Sequence, residues 1–493
     1  MTMAETAAQV HPTKQPKGLY VLFGAEAWER FSYYGMRALL VLYMTRQLHY
    51  DREDALTVYA IYTGLVYLTP FFGGLLADKL LGSRKSVLIG GTVMAAGHLA
   101  MAFPDLLNYA LGLLIIGNGF FKPNISTIVG GLYSENDPRR DGGFTIFYMG
   151  INLGAFFSPL ICGTLGEQVG WHWGFSAAAV GMLFGLGTFV AFQRLLGTAG
   201  YPPDMGEVEA GTKLRPKDWR DIGIWIVGSL IGVQLVLWSL PFLTGVMDAI
   251  PASVKLIIGV VLIFGTLFGV VGGAARDGAE ATHRTIVILL LGFFVIFFWM
   301  GFEQAGGTMT LFAAEQTDRH VVAGWEMPAS WFQSVNPFFI FLLAPIFSKM
   351  WLHWDESRFK LATPTKMAMG LFFLAGGFVI LYIGQSLALS GNGRVAIWWL
   401  IGVYFIHTVG ELFLSPIGLS MVTKLALPRM VSLMMGVWFT SSAVANYLAG
   451  KLESIVQQYE IPLFAFLIGS SIAAGILLLL VTPLLKKWMH GKG

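Results

Sequence analysis

Runs of about 20 apolar residues recur along the whole chain, each closed by a short polar or Gly/Pro-rich break. That length is what an α-helix needs to cross the hydrocarbon core of a bilayer. The pattern predicts spans near 18–46, 54–79, 85–103, 106–133, 143–167 and 172–196. A polar linker over 197–221 follows, marked by Tyr201-Pro202-Pro203-Asp204 and by Lys213, Arg215 and Lys217. Two more spans are predicted near 222–246 and 252–275, then a charged link over 276–284. The last six lie near 285–312, 328–351, 366–389, 394–424, 430–457 and 461–485. The grouping is six, two, six, so 14 transmembrane helices are expected. Residues 1–17 are polar and hold no apolar run before a cleavage site, so no cleaved signal peptide is expected.

Composition turns this pattern into a fold class. Of 493 residues 55% are hydrophobic and 12% charged, and mean hydropathy is +0.65. A soluble domain carries about a quarter charged residues, so this is an all-α integral membrane chain solvated mainly by lipid. The lone Cys162 excludes an intramolecular disulfide and a thiolate metal cluster. A net charge of +3 without a basic stripe points away from nucleic acid. Of the 32 Lys and Arg, only Arg46, Arg52, Lys255, Arg319, Arg394 and Lys451 fall in loops opposite the termini. Arg30, Arg37 and Lys122 lie inside spans, and all the others sit on the termini side. The positive-inside rule then puts both termini in the cytoplasm.

Six, two, six is the plan of the major facilitator superfamily fold: two six-helix bundles plus an inserted two-helix hairpin. The expected units are a tail (1–17), an N-terminal bundle (18–196), a linker (197–221), the inserted pair (222–275), a second linker (276–284) and a C-terminal bundle with its tail (285–493). Gly73-Gly74 with Asp78, Lys79, Arg84 and Lys85 at the end of span 2 resembles that superfamily's cytoplasmic signature. In such a fold a substrate site lies near the midplane, between the halves.

Few polar residues interrupt the apolar runs. Span 1 carries Glu26, Glu29, Arg30 and Arg37, with Glu26 and Arg30 at i and i+4. Span 4 of the twelve carries Lys122, span 5 Asn152, span 7 Trp299 and Glu303, span 8 Asn336, and span 10 His407 and Glu411. A charge at the bilayer centre costs at least ~2.5–3.5 kcal/mol, so each needs a partner or water. The charged spans 1, 4, 7 and 10 are the first helices of four three-helix repeats, which places their charges on one central cavity. A purely structural ion-pair network is the competing reading. It leaves unexplained why Pro stands beside Lys122, Asn336 and Ser415, where it loosens three helices at one depth. Positive charge on the first half and carboxylates on the second suit a zwitterion. Its carboxylate would seat on Arg30 and Lys122, and its ammonium on Glu411 with help from Asn152 and Asn336. Tyr33, Tyr34, Tyr67, Trp299 and Trp438 would furnish side-chain pockets. Tyr34 and Trp299 are the best placed, since each shares a helical face with a charge.

Glu26-x-x-Glu29-Arg30-Phe31-x-Tyr33-Tyr34-Gly35 resembles the first-helix signature of proton-dependent oligopeptide transporters. Phe147-Tyr148-x-x-Ile151-Asn152-x-Gly154 and Gly410-Glu411-Leu-Phe-Leu-Ser415-Pro416 are similar to that family's helix 5 and helix 10 signatures. The two extra central helices are typical of its bacterial members. The resemblance implies a proton-coupled symporter importing di- and tripeptides by alternating access. It assigns proton coupling to Glu26, Glu29, Arg30 and Glu303. Peptide termini would meet Lys122 and Glu411, which can pair as an inner gate, while Arg37 and Glu303 pair as an outer gate. Substrate contacts would come from Arg30, Tyr33, Tyr34, Tyr67, Asn152, Trp299, Asn336, Ser415 and Trp438. Span 2 lacks the histidine of mammalian members, and His407, four residues before Glu411, reads more simply as a packing residue. No metal or cofactor is expected. The implied setting is the bacterial inner membrane, with a chain that functions as a monomer. A transporter of nitrate, a drug or another organic anion is the alternative within this fold. A polytopic membrane enzyme is the alternative outside it, but the sequence offers no nucleophile–base pair, metal motif or phosphate loop.

Overall fold

The computed structural model describes residues 14–134, 137, 139–201, 216–322, 324–356, 361–391, 393–427 and 430–491. Residues 1–13 of the expected tail and 202–215 of the linker, with Lys213 and Arg215, lie outside them. The first six long helices are α1 (Lys17–Arg46), α2 (Arg52–Leu76), α3 (Ser83–Ala100), α4 (Leu107–Gly130), α5 (Arg140–Thr164) and α6 (Trp171–Phe192). Then come α7 (Pro216–Ala249), α8 (Ala252–Ala275), α9 (Ala279–Phe302) and a short α10 (Thr308–Glu315). The chain closes with α11 (Val335–Glu356), α12 (Thr363–Ser390), α13 (Trp398–Leu425), α14 (Val431–Gln457) and α15 (Leu463–Trp488). Alternation places one set of connections at the end that holds the termini, called proximal here, and the other set at the distal end.

Nine helical segments among the described residues are long and apolar enough to cross a membrane. α1 is not one of them, because it carries four charged residues in its middle. The core is largely apolar but holds a set of buried charges, and the exterior is apolar too. Glu26, Glu29, Arg30, Arg37, Glu303 and Glu411 are buried, whereas Trp238 is 80% and Phe268 81% exposed. Such an exterior is stable only against lipid.

Helix contacts sort into two sets. α1 packs against α5 and α6, and α3 against α4. On the other side α12 packs against α13 and α15, and α14 against α9. The sets meet where α2 lies on α14 and α5 on α11 and the turn before it. Small residues permit the closest approaches: a Cβ on Gly73 of α2 would collide with the Gly119 carbonyl of α4. α7 lies on α3 and α4, with Tyr109 donating to the Leu230 carbonyl (3.1 Å), while α8 lies on α9.

Three expectations change. α7 starts at Pro216, inside the stretch read as linker; Pro at the first helical position and Asp218 in the first turn are helix-start signals that its charges masked. The span expected over 285–312 breaks into α9, a 3-10 turn at Glu303–Gly306 and α10. Pro337 does not loosen a helix interior: α11 begins at Val335, so this proline sits in a first turn, where the missing N–H is harmless.

Candidate functional site: a midplane cavity between two helix sets

Between α1, α2 and α5 on one side and α9, α11 and α13 on the other lies a partly open cavity. The first side contributes Tyr34, Arg37, Tyr67, Tyr148 and Asn152. The second contributes Trp299, Gln333, Asn336, Tyr404, His407 and Glu411. A smaller side pocket shares Tyr67 and Trp299 as walls and adds Ser415, Trp438, Ser442 and Asn446. The expected aromatic residues thus line two adjoining spaces, except Tyr33. Its ring stands edge-on to Tyr34 at 5.2 Å and under the Arg30 guanidinium, whose carbon is 5.4 Å from the ring centre.

On the α13 wall, Asn336 Nδ2 donates to Glu411 Oε2 (2.8 Å) and to Thr408 Oγ1 (3.0 Å). One carboxylate oxygen of Glu411 is therefore held in place by an amide. His407 lines the same cavity, but its Nε2 donates to the Leu374 carbonyl (3.2 Å) and its ring lies tilted at 59° against Phe378, 4.7 Å between centres. It is a packed histidine with one face on the cavity. Asn152 donates to its own helix, at Tyr148 O (3.1 Å).

Arg37 and Glu303 close the distal side of the cavity. The guanidinium pairs with the Glu303 carboxylate across the two helix sets, and its Nε donates to Tyr59 Oη (2.7 Å). Glycine at 306, in the 3-10 turn after Glu303, leaves room for this contact, because a Cβ there would meet Tyr59 Oη and fall 2.9 Å from Arg37 Nε. Both charges are buried, and the buried Arg37 side chain leans on the rings of Tyr34 and Tyr59. Buried charges of this kind persist only when paired and hydrogen-bonded.

Glu26, Glu29 and Arg30 form a second charged cluster, contained in α1. Arg30 Nε is 3.1 Å from Glu26 Oε1 and also contacts the Glu29 carboxylate. Lys122 of α4 feels all three charges, and its Nζ stands 4.3 Å over the centre of the Tyr67 ring. Neither Arg30 nor Lys122 is among the residues lining the two spaces, and no ion pair joins Lys122 to Glu411 among the described residues. The structure thus gathers Arg37 with Glu303 and Asn336 with Glu411, and holds Lys122 with the α1 cluster. Sequence reasoning missed Tyr59, Tyr148, Gln333 and Thr408. Tyr148 lies one turn from Asn152 and was findable by that spacing; Tyr59 carried no signal, because its partner is on another helix.

The sequence model described as PTR2, the POT family, matches residues 84–465. The chain belongs to the POT family. This is the family of proton-dependent oligopeptide transporters, whose signatures α1, α5 and α13 resemble. A POT-family relative, the peptide transporter YePEPT of Yersinia enterocolitica, is 36% identical over 501 residues, covering 97% of this chain and 96% of that protein. The dipeptide and tripeptide permease A of Proteus mirabilis is 32% identical over 457 residues, covering 92% and 89%. A solved structure of a peptide transporter POT in complex with sulfate superposes with a TM-score of 0.80 at 36% identity, covering 97% of this chain and 96% of that one. As a POT-family member the chain is a multi-pass membrane transporter rather than an enzyme, with a helical fold like that of the major facilitator superfamily.

Proposed function

We propose that the chain is a proton-coupled symporter that imports di- and tripeptides across the bacterial cytoplasmic membrane by alternating access. It works as a monomer with 14 spans, both termini in the cytoplasm, and the unit boundaries given above: bundles over 18–196 and 285–493, joined through the inserted pair over 222–275. The distal end is then the outside. The observation that carries this reading is a cavity between two helix sets with Glu411 presented by Asn336 on one wall and the Arg37–Glu303 pair above it. The names of the relatives add the substrate class.

The geometry divides the roles. Protonating Glu303 from outside removes the charge that holds Arg37, so the distal side can open. The carboxylate of Glu411, fixed by Asn336, receives the peptide ammonium. Arg30 and Lys122 take the peptide carboxylate once the halves move toward each other around it, which also loosens Arg30 from Glu26 and Glu29 and frees them to exchange protons. Tyr33, Tyr34, Tyr67, Asn152, Trp299, Ser415 and Trp438 contact the peptide's middle and side chains. With Arg37 and Glu303 joined and Lys122 apart from Glu411, this conformation is open to the cytoplasm.

Uptake of labelled dialanine by proteoliposomes under an inward proton gradient tests this reading. Uptake that a protonophore abolishes is expected. Absent uptake, or uptake indifferent to the protonophore, sinks proton–peptide symport, and gradient-driven nitrate or drug uptake in its place would select the other transporter reading.

A further inference from the structure

Two carboxylates at the distal end, Glu167 and Glu453, lie outside the cavity and outside the roles given above. Glu167 sits in the turn of π-helix (Leu165–Val169) that continues α5, and its side chain is 6% exposed. Its Oε2 accepts the N–H of Ala329 and its Oε1 the N–H of Ser330, both at 2.9 Å. These two amides open the 3-10 turn (Ala329–Ser334) that leads into α11, in the other helix set. Glu453, near the end of α14, is buried too. It accepts Arg52 Nε (2.6 Å) and Nη2 (3.3 Å) from the first residue of α2, and Thr308 Oγ1 (2.9 Å) from its own set.

The two arrangements correspond. Counted within each set of six, α5 and α14 are the fifth helices, and α2 and α11 are the second. Each fifth helix ends in a carboxylate that grips the start of the other set's second helix. Smaller contacts follow the same lines: Trp331 Nε1 donates to Thr164 Oγ1 (2.9 Å) beside Glu167, and Lys451 Nζ to Thr57 Oγ1 (2.7 Å) beside Glu453.

We propose that Glu167 and Glu453 are a two-fold-related pair of gating residues that hold the distal end shut, additional to Arg37 and Glu303. Bonds from consecutive amides to both oxygens of one carboxylate are lost together when α11 parts from α5, so the Glu167 grip releases as a unit. A buried carboxylate left without donors is penalised by its full desolvation. Arg46 Nη1, 4.0 Å from Glu167 Oε2 and on the same helix set, is placed to take the carboxylate over once the amides leave. With the Arg37–Glu303 contact the two grips tie the helix sets together at three separate places at the distal end.

This inference rests on the reading of the two sets as bodies that rock, and its test needs no peptide. Cys162 is replaced by Ala and a reporter cysteine is placed at Ala305, which lines the cavity beneath the distal closure. The full chain in oriented proteoliposomes is labelled with a membrane-impermeant maleimide from either side. Glu167→Ala and Glu453→Ala are each expected to speed distal labelling at least about tenfold, equivalent to ~1.4 kcal/mol of closure. Proximal labelling is expected to slow. Glu167→Gln, which keeps one acceptor oxygen, is expected to fall between the parent and Glu167→Ala, and serves if the alanine variant misfolds. Distal labelling at the parent rate in a folded Glu167 variant overturns the proposal, as does equal acceleration from both sides, the mark of general loosening. Failure of dialanine uptake would instead sink the transport reading and leave the labelling result standing.

Discussion

The two ends of the helix bundle are held in different ways. At the distal end, bonds cross from one helix set to the other: Arg37 to Glu303, Arg52 to Glu453 and Glu315, Glu167 to the amides of 329–330, and Ser334 to the Phe156 carbonyl. At the proximal end, several polar contacts among the described residues stay within a set or bind α7 to its neighbour. Arg84 donates to the Ala199 carbonyl and stacks on Tyr201, Lys85 pairs with Asp218 at 3.0 Å, and Arg139 caps the Lys14 carbonyl. Where the sets touch below the cavity, the contact is apolar, as between Phe71 and Gly436. One end is thus latched by interactions whose breaking is a discrete event, and the other by interactions that keep each half rigid while it moves. That is the division expected of a molecule that rocks between two states rather than one that deforms.

The comparison can be broken most forcefully at Arg37. Arg37→Ala leaves Glu303 buried without its cation, and stability in detergent should fall by roughly 3–5 kcal/mol. The double variant with Glu303→Ala should recover much of that loss, and thermal unfolding of the single and double variants measures the recovery. Additive losses would show that the two residues are not coupled. Next in size, Glu411→Gln should reduce uptake of free-amine dipeptides about 100-fold, equivalent to ~2.7 kcal/mol, without altering the melting temperature. N-acetylated dipeptides competing as well as free ones with the parent protein would contradict the ammonium assignment. Asn336→Ala should weaken dialanine binding by ~1–3 kcal/mol, since Glu411 loses the amide that fixes it, and direct calorimetry reads this out. Smallest is the proximal control: Arg220, an exposed side chain paired with Asp221 at 3.3 Å, should contribute under ~0.5 kcal/mol when changed to Ala. Distal labelling rates should not respond to that change, and a response would mean that both ends take part in closure.

Much of this was legible in the sequence, for a reason that differs by region. Helices showed themselves because a bilayer demands long apolar runs, and a charge in such a run must find an opposite, but which ones pair, as Arg37 with Glu303, came only from the family resemblance. The start of α7 was missed, since Lys217, Asp218, Arg220 and Asp221 look like linker until Lys85 is seen to bind Asp218. The break after Phe302 falls on Glu303-Gln304-Ala305-Gly306-Gly307, a polar and glycine-rich stretch that the count of long apolar runs passed over, and the crowding of Arg37 and Tyr59 against Gly306 shows why a glycine stands there. The grips of Glu167 and Glu453 were invisible for another reason. A carboxylate near a loop is ordinary, and its partner is 162 residues away in one case and 401 in the other. Hydropathy reports where chain meets lipid, but not which loop meets which.

The placement of α7 and α8 has a mechanical consequence. One lies on α3 and α4, the other on α9, and the turn at 250–251 joins them. They form a strap with its two leaves fastened to different moving parts. Trp238 and Phe242 on one leaf and Phe264 and Phe268 on the other project into the surrounding lipid. Any rotation of one half against the other must shear these leaves past each other and drag their aromatic side chains through acyl chains. On the rocking reading, turnover is expected to respond to the viscosity and thickness of the surrounding membrane through this peripheral pair.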